Sequence, residues 1–410
     1  MSREFDLLFA IAVAAATGAS CPPLDGKPDM KLFAKLMREQ AVSALATRAI
    51  ALTPAEVPND VRTWAKNQYL FLSARESHRR CESLKLIRRL EERGFSHVVL
   101  KGFAVGQYYA APDCRISGDL DLLVDQKDET SLCAYLASEE GCHVTPRGLG
   151  NHSLVQHPVL GLLEIHVSLY YDYTAEQWFE GEATDAKYPP MRVESADGAY
   201  SVLHPQDAML FLLLHAAKHF VTGGLNIRVL TDCAIFYTKN IDRLDMQPIW
   251  DMLDRLRLLT LIEAYFYTVA QAGFTLPKEL DERLNAKREL LLPLVEKLKT
   301  DMEEHIFVRD DESYSRVLTM REFTRKRLGE KRFAAYIERE RRKANIKRVF
   351  PSRLLLLVEY PVLRKAPLLL PAIWGVRAVK KLFKHAKYSD ETKALQIERL
   401  RLFEEMGMLN

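Results

Sequence analysis

The sequence contains few cysteines and no paired cysteine motif. Its six cysteines stand apart, with no C-x-x-C pair and no Cys/His group at zinc-finger spacing. This pattern excludes the common structural zinc modules and a small disulfide-stapled secreted scaffold. We therefore expect reduced and mostly buried cysteines in a cytosolic protein.

Long apolar runs and targeting signals are missing as well. The apolar run from Phe5 to Ala16 is too short to span a bilayer, which takes about 20 residues. A basic leader region is absent, because Arg3 is accompanied by Glu4 and Asp6. We expect this run to be a buried first helix and the protein to be cytoplasmic.

Internal repeats and low-complexity segments are absent too. The chain is 48% apolar and 28% charged, which is ordinary for a globular protein. Its 410 residues exceed one compact core of usual size. The pattern of helices and strands predicts an α+β fold with a small mixed β-sheet. We expect a helical N-terminal subdomain at 1–95, the sheet-containing catalytic domain at 96–200, a helical domain completing the cleft at 201–320, and a basic helical C-terminal region at 321–410.

The net charge of +3 hides a strong local excess. Residues 321–387 contain twenty Lys and Arg against five Glu and no Asp, a net charge of +15. Three interpretations stay open for this segment: a solvated charged face, a surface for a polyanion, and a surface for an acidic protein. The polyanion would be RNA or an anionic membrane surface, and the latter would make the protein peripheral at the membrane.

Two aspartates begin a short apolar run. Asp119 and Asp121 alternate with Leu120, Leu122 and Val124. On a β-strand both carboxylates therefore point to one face and the aliphatic side chains to the other. Two carboxylates on one face are costly unless a cation lies between them. Oxygen ligands favour Mg²⁺ or Mn²⁺.

A third carboxylate lies on a second predicted strand. Glu164, His166 and Ser168 share one face there. If this strand lies beside the first, Glu164 completes a cluster that can hold two Mg²⁺ or Mn²⁺ ions. His166 would orient Glu164 or contact a substrate, and a structural role is an equal alternative.

Residues suited to phosphate groups lie close to the aspartates. Lys101 and Gly102 end one predicted strand and open a helix, whose N-terminus favours an anion. Arg115, Ser117 and Gly118 directly precede the aspartates, where a guanidinium and free N–H groups can hold a triphosphate.

Together these segments resemble a known family. Lys101-Gly102, the stretch from Arg115 to Val124 and the Glu164-Ile-His166 triplet look like the uncharacterised bacterial nucleotidyltransferase family of the DNA-polymerase-β-like superfamily. The chain departs from the superfamily in carrying Lys-Gly where Gly-Ser is usual. It also has Glu where the third carboxylate is commonly Asp.

The resemblance implies a function and a set of roles. It implies a polymerase-β-like fold, metal binding by Asp119, Asp121 and Glu164, and triphosphate contacts near Gly102 and Ser117. The implied reaction transfers a nucleoside monophosphate from a nucleoside triphosphate to a small molecule, a peptide or protein, or tRNA, and releases pyrophosphate. The alternatives are a catalytically degenerate nucleotide-binding module and a basic protein that interacts with nucleic acid or a membrane surface.

A helical region further along the chain carries additional polar residues. His215 and His219 are four apart on one helix face, but Lys218 stands where a zinc protease would carry its glutamate. Two interpretations stay open for these residues. They pack structurally, or they line the cleft with Arg228 and Asp232, which the resemblance modestly supports.

Overall fold

The computed structural model describes residues 2–23, 28–53, 57–147, 151–169, 186–195, 198–222, 224–304, 369–374 and 399–409, with positions 323, 325, 326 and 329. Most of the basic segment 321–387 lies outside these residues, so the structure does not address its predicted polyanion partner. None of the helices in the described ranges combines the length and apolar character needed to cross a bilayer.

Four helices form the N-terminal part of the chain: α1 (Arg3–Thr17), α2 (Met30–Glu39), α3 (Ser43–Leu52) and α4 (Asn59–Glu92). The run expected to be a buried first helix is the core of α1, and Ser2 caps it by accepting from the Phe5 amide. The spacing of apolar residues predicts a continuous helical stretch over 30–52, but this stretch is interrupted at Ala41, whose φ is 58°. A positive φ is unfavourable for a residue other than glycine, and it cannot continue a right-handed helix.

One mixed sheet of seven strands follows, in the order β3-β4-β5-β2-β1-β7-β6. The strands are β1 (His97–Val99), β2 (Asp119–Val124), β3 (His143–Thr145), β4 (His152–His157), β5 (Gly161–His166), β6 (Met191–Ser195) and β7 (Gly198–Val202). Strand β2 is parallel to β5, and β1 is parallel to β7. The predicted α+β class with a mixed sheet is confirmed. Sequence patterns predict strands at 97–100, 120–124, 142–145, 153–156 and 162–169, which correspond to β1 to β5, and predict none at β6 or β7.

Further helices up to residue 304 are α5 (Lys101–Gly106), α6 (Glu129–Ser138), α7 (Pro205–Thr222), α8 (Ile227–Lys239), α9 (Met246–Arg255), α10 (Leu259–Gln271), α11 (Lys278–Asn285) and α12 (Arg288–Glu304). The sequence predicts a helix over 248–271, and the structure divides this stretch between α9 and α10. Arg257 lies between the two helices, with φ at 54°.

Two apolar clusters lie on opposite faces of the sheet. The aliphatic side chains of β2 pack with those of α4 and α6 in one cluster. The other cluster joins α1 to α3 with α7 to α12 and the C-terminal residues 399–409. Arg399 anchors that terminus through Asp301, with Nε 3.0 Å from the carboxylate. The aspartate face of β2 therefore points toward α7 and α8. The domain boundaries expected from the sequence stay predictions.

Candidate active site

The pairing of β2 with β5 brings three carboxylates together. The two parallel strands are in register, with Asp121 opposite Glu164. Asp119 lies two residues before Asp121 and points to the same face. Carboxylate oxygens of Asp119, Asp121 and Glu164 all lie within 4.8 Å of one another. The structure therefore places the three carboxylates next to one another, as the sequence predicts.

Within this cluster the ionised form of Asp119 is unfavourable. Burial raises the pKa of Asp119, and the negative charge of Asp121 raises it further. The donor set is all oxygen and partly buried, which is the chemistry that Mg²⁺ and Mn²⁺ prefer. The three residues therefore fit a divalent metal ion of this class.

Lys101 already places one positive charge in the cluster. Its Nζ lies 2.7 Å from Asp121 Oδ1 and 3.4 Å from Glu164 Oε2. Burial alone would lower the pKa of Lys101, but the two carboxylates outweigh it and raise the pKa to about 12. The backbone at Lys101 has φ at 47°, at the sharp turn from β1 into α5. This turn directs the side chain toward the carboxylates.

His166 contributes a second hydrogen-bond donor. Its Nε2 lies 3.0 Å from Asp121 Oδ1 and 3.1 Å from Glu164 Oε2. Burial would raise the pKa of both carboxyl groups, yet both pKa values are lowered. Lys101 dominates this lowering at Asp121 and the hydrogen bond from His166 dominates it at Glu164.

Arg115 lies under the site in a buried ion pair. Its Nε donates to Asp232 Oδ1 over 3.1 Å, its Nη2 donates to the other carboxylate oxygen, and its Nη1 donates to Ser117 Oγ over 2.8 Å. Tyr109 donates to Asp232 over 2.7 Å. A Cβ at residue 102 would collide with the Arg115 guanidinium, so Gly102 allows this packing. The predicted triphosphate contact of Arg115 thus has a competitor in Asp232.

Two residues of α4 hold the loop before the aspartates, and sequence reasoning did not identify them. Glu76 Oε1 accepts from the Ser117 amide over 3.3 Å, and Arg79 Nη2 donates to the Asp119 carbonyl oxygen over 2.8 Å. Gly118 is exposed between these anchors, with open space where a side chain would extend. Glu76 and Arg79 occur within a long charged helix, where neither spacing nor neighbours mark them.

Helices α7 and α8 form a wall of nitrogen-bearing side chains. His215 and His219 contact each other, with their Nε2 atoms 2.8 Å apart. Burial lowers the pKa of His219 to about 3 and also lowers that of Lys218, and nearby positive charges act in the same direction. Arg228 Nη1 donates to the Ile116 carbonyl oxygen over 2.9 Å. The buried Arg228 Nε has no hydrogen-bond partner among the described residues.

The carboxylate cluster and the helical wall enclose one cleft of about 250 Å³. Its lining includes Lys101, Gly102, Arg115, Asp119, Glu164, His166, His215, Lys218, His219, Arg228 and Asp232. Ser117 and Asp121 are buried at its edge, at 6% and 1% exposure. The structure thus brings together the residues that the sequence singled out on four separate segments.

Asn151 and His152 also line the cleft and were missed from the sequence. His152 lies directly opposite His166 across the antiparallel β4–β5 pair, and the ring centroids are 5.0 Å apart. Its Nδ1 is 3.1 Å from Asn151 Oδ1, and its Nε2 is 3.9 Å from Glu164 Oε1. The predicted strand began at Ser153, one residue too late to include His152.

Comparison with known families identifies a family that this chain matches. A family model described as "Uncharacterised nucleotidyltransferase" matches residues 26–272, which is more than half of the chain and contains every residue of the cleft named above. No curated protein and no solved structure matches the chain.

Proposed function

Since the chain belongs to the uncharacterised nucleotidyltransferase family, we propose that it transfers a nucleoside monophosphate from a nucleoside triphosphate to an acceptor and releases pyrophosphate. The acceptor class stays open among a small molecule, a peptide or protein, and tRNA. The observation that carries the proposal is the in-register pairing of Asp121 with Glu164, beside Asp119, at the mouth of a basic cleft.

The carboxylates would hold the metal. Asp119, Asp121 and Glu164 would bind Mg²⁺ or Mn²⁺, with Asp119 and Asp121 shared if two ions are present. When bound, such ions neutralise phosphate charge and favour the deprotonated form of an attacking oxygen. Lys101 holds the carboxylates in place meanwhile, since its ammonium contacts both Asp121 and Glu164.

The opposite wall would bind the triphosphate. Arg228 and Lys218 line the cleft across from the carboxylates, and guanidinium and ammonium groups are the usual phosphate donors in proteins. The buried Arg228 Nε has no acceptor within the described part of the chain, so a phosphate oxygen would satisfy it. We propose this role for Arg228 and Lys218 in addition to the roles of Lys101, Gly102, Ser117 and Gly118.

Positioning accounts for most of the rate in phosphoryl chemistry, because the reacting oxygens must be aligned and their charge neutralised. The Arg115–Asp232 pair would fix the floor of the cleft, and the α4 residues Glu76 and Arg79 would fix the loop that carries Ser117. His215 and His219 have lowered pKa values. They would thus line the cleft as neutral hydrogen-bonding groups.

The test compares two labelled forms of each nucleoside triphosphate. The protein is incubated with Mg²⁺ or Mn²⁺, fractionated cell extract as the acceptor source, and ATP, GTP, CTP or UTP labelled at either the α- or the γ-phosphate. We expect the α-label to enter an acceptor and the γ-label to leave as pyrophosphate. Transfer of the γ-label instead would identify a phosphotransferase and overturn the proposal.

A matched pair of variants makes the result specific to the cluster. Asp119→Ala removes a carboxylate at the start of β2, whereas Asp125→Asn changes an exposed one just beyond its other end, with 63% of its side chain exposed. We expect Asp125→Asn to retain label transfer and Asp119→Ala to lose it. Transfer that survives in Asp119→Ala would contradict the assigned site.

We propose that the basic segment 321–387 binds a polyanion, either RNA or an anionic membrane surface. Its charge would give RNA binding that weakens steeply with salt, or binding to vesicles that contain anionic lipid. We propose a cytoplasmic location because nucleoside triphosphates are available there. RNA binding that does not change between low and high salt would contradict an electrostatic contact.

A further inference from the structure

Beside the all-carboxylate cluster lies a second group of candidate ligands with different chemistry. His152, Glu164 and His166 each offer one ligand atom, and these atoms lie within 4.8 Å of one another. We propose that they form a distinct site for a divalent transition metal such as Mn²⁺, with Glu164 shared between this site and the carboxylate cluster. The inference rests on the proposed function only in placing the site beside the same cleft.

The backbone fixes the three ligands relative to one another. His152 is the direct cross-strand partner of His166, and Glu164 precedes His166 by two residues on the same face of β5. Sheet hydrogen bonds therefore hold all three Cβ atoms in place, and little side-chain order has to be gained on binding. The site is built on the rigid part of the fold and on no loop outside the described residues.

Asn151 sets the orientation of the His152 ring. Its side-chain nitrogen donates to the Ser168 carbonyl oxygen over 2.9 Å, which directs its oxygen to His152 Nδ1 at 3.1 Å. An amide oxygen only accepts, so His152 Nδ1 carries the proton and Nε2 keeps its lone pair. Histidine ligands in metal sites characteristically have their second nitrogen fixed by such a partner.

The separations suit an ion between the ligands. His152 Nε2 and Glu164 Oε1 are 3.9 Å apart, which is too long for a hydrogen bond. One ion can bridge them, because metal–nitrogen and metal–oxygen bonds are each about 2.0–2.2 Å. His166 Nε2 is 3.1 Å from the other oxygen of Glu164 and donates to it without metal. On metal binding this ring would carry its proton on Nδ1 and free Nε2, and the weak 3.5 Å contact of Nδ1 with the Asn151 side-chain nitrogen would be lost.

Ligand type separates the two sites. Carboxylates alone suit Mg²⁺, whereas imidazole nitrogens favour transition metals over Mg²⁺. The cleft would thus bind two different ions. The three carboxylates would accept either Mg²⁺ or Mn²⁺, whereas the site with His152 and His166 would select the transition metal. We expect a mixture of the two ions to support activity better than Mg²⁺ alone.

The test detects nitrogen coordination directly and needs neither nucleotide nor acceptor. The full-length protein is titrated with Mn²⁺, and pulsed electron paramagnetic resonance records ¹⁴N modulation from bound imidazole. We expect ¹⁴N modulation in the wild type and its loss in His152→Gln and His166→Gln. The modulation should persist in Asp119→Asn, which affects only the oxygen set, and in His143→Gln, which changes an exposed histidine on β3.

An affinity measurement guards against variants that fold poorly. Asn151→Ala keeps all three ligands but removes the group that orients His152. Loss of such a partner typically weakens metal binding roughly 10- to 100-fold, and calorimetry with Mn²⁺ should show this. Wild-type protein without ¹⁴N modulation, or modulation unchanged in both His152→Gln and His166→Gln, would overturn the site. The α-label assay above would be unaffected by that result, so the two proposals fail separately.

Discussion

The two walls of the cleft carry opposite charges and are built in different ways. On the sheet wall, neighbouring backbones set the spacing of the acidic side chains, as the pairing of Asp121 with Glu164 shows. On the helical wall, Lys218 and Arg228 come from two helices that only tertiary packing brings together. In the proposed function the sheet wall would hold the metal ions and the helical wall would bind the phosphates.

The largest expected effect comes from the sheet wall. Asp121→Asn removes the carboxylate that contacts Lys101 and lies opposite Glu164 on the neighbouring strand. We expect kcat to fall by about 1,000-fold or more, because metal-assisted charge stabilisation contributes several kcal/mol. Steady-state kinetics with saturating nucleotide measures this loss, and circular dichroism checks the fold. If Asp121→Asn raised KM and left kcat unchanged, the proposal that the sheet wall acts on turnover and the helical wall on nucleotide binding would be contradicted.

The pair beneath the walls should matter for stability. Asp232→Asn leaves the buried Arg115 guanidinium without its counter-charge, and Arg115 is 5% exposed. Breaking a buried ion pair by removing one partner costs about 3–5 kcal/mol. Urea unfolding should show this decrease in the free energy of unfolding.

A double variant separates charge from shape at this pair. Replacing both members, as in Arg115→Met with Asp232→Leu, removes the uncompensated charge and should recover most of the lost stability. If Asp232→Asn has no effect on unfolding, the guanidinium is not held by this pair, and its predicted role as a triphosphate ligand would gain support.

The difference between the walls also explains what the sequence could predict. Side chains alternate on a strand, so the common face of Asp119 and Asp121 follows from their spacing alone. The parallel neighbour carrying Glu164 was an assumption that the observed register supports. The alternation of side chains on two neighbouring strands is therefore enough to predict most of the arrangement of the three carboxylates.

Contacts across long stretches of chain could not be predicted in this way. Arg115 and Asp232 are 117 residues apart, and no local pattern links them. The contact of Lys101 with Asp121 depends on a turn with positive φ at a lysine, which sequence patterns do not indicate. Strand β7 was missed because small residues interrupt its apolar alternation around Tyr200.

The helical wall should affect substrate binding more than turnover. Lys218→Met and Arg228→Met each remove a cation of the cleft while keeping much of the side-chain volume. A hydrogen bond to a charged group contributes about 1.5–3 kcal/mol, so we expect KM for the nucleotide to rise roughly 10- to 100-fold. Lys127→Met is the matched control, because its side chain is 77% exposed and lies outside the cleft. An unchanged KM in both variants would contradict the proposal that the triphosphate binds to this wall.

The smallest expected effect is an increase in stability. It measures how much the ionised Asp119 destabilises the fold when no metal is bound. Burial and the charge of Asp121 raise the pKa of Asp119, so its ionised form destabilises the metal-free fold at neutral pH. Asp119→Asn removes that charge, and Arg79 still has its partner because it binds the backbone oxygen of residue 119. In a metal chelator at pH 7 we expect the variant to be more stable by about 1 kcal/mol, the order of a like-charge contact.

The pH dependence follows from the same sign. A carboxyl group with a raised pKa destabilises the fold above that pKa and stops doing so once it is protonated. The advantage of Asp119→Asn should therefore be present at neutral pH and disappear as the pH falls below about 4, the ordinary pKa of aspartate. Adding Mg²⁺ at pH 7 should also remove it, because a bound ion would offset the negative charge of Asp119 in the wild type. Thermal unfolding with and without metal measures both changes. A variant less stable than the wild type in chelator would mean that Asp119 is held by favourable contacts, and that the acidic wall is not poised to receive a cation.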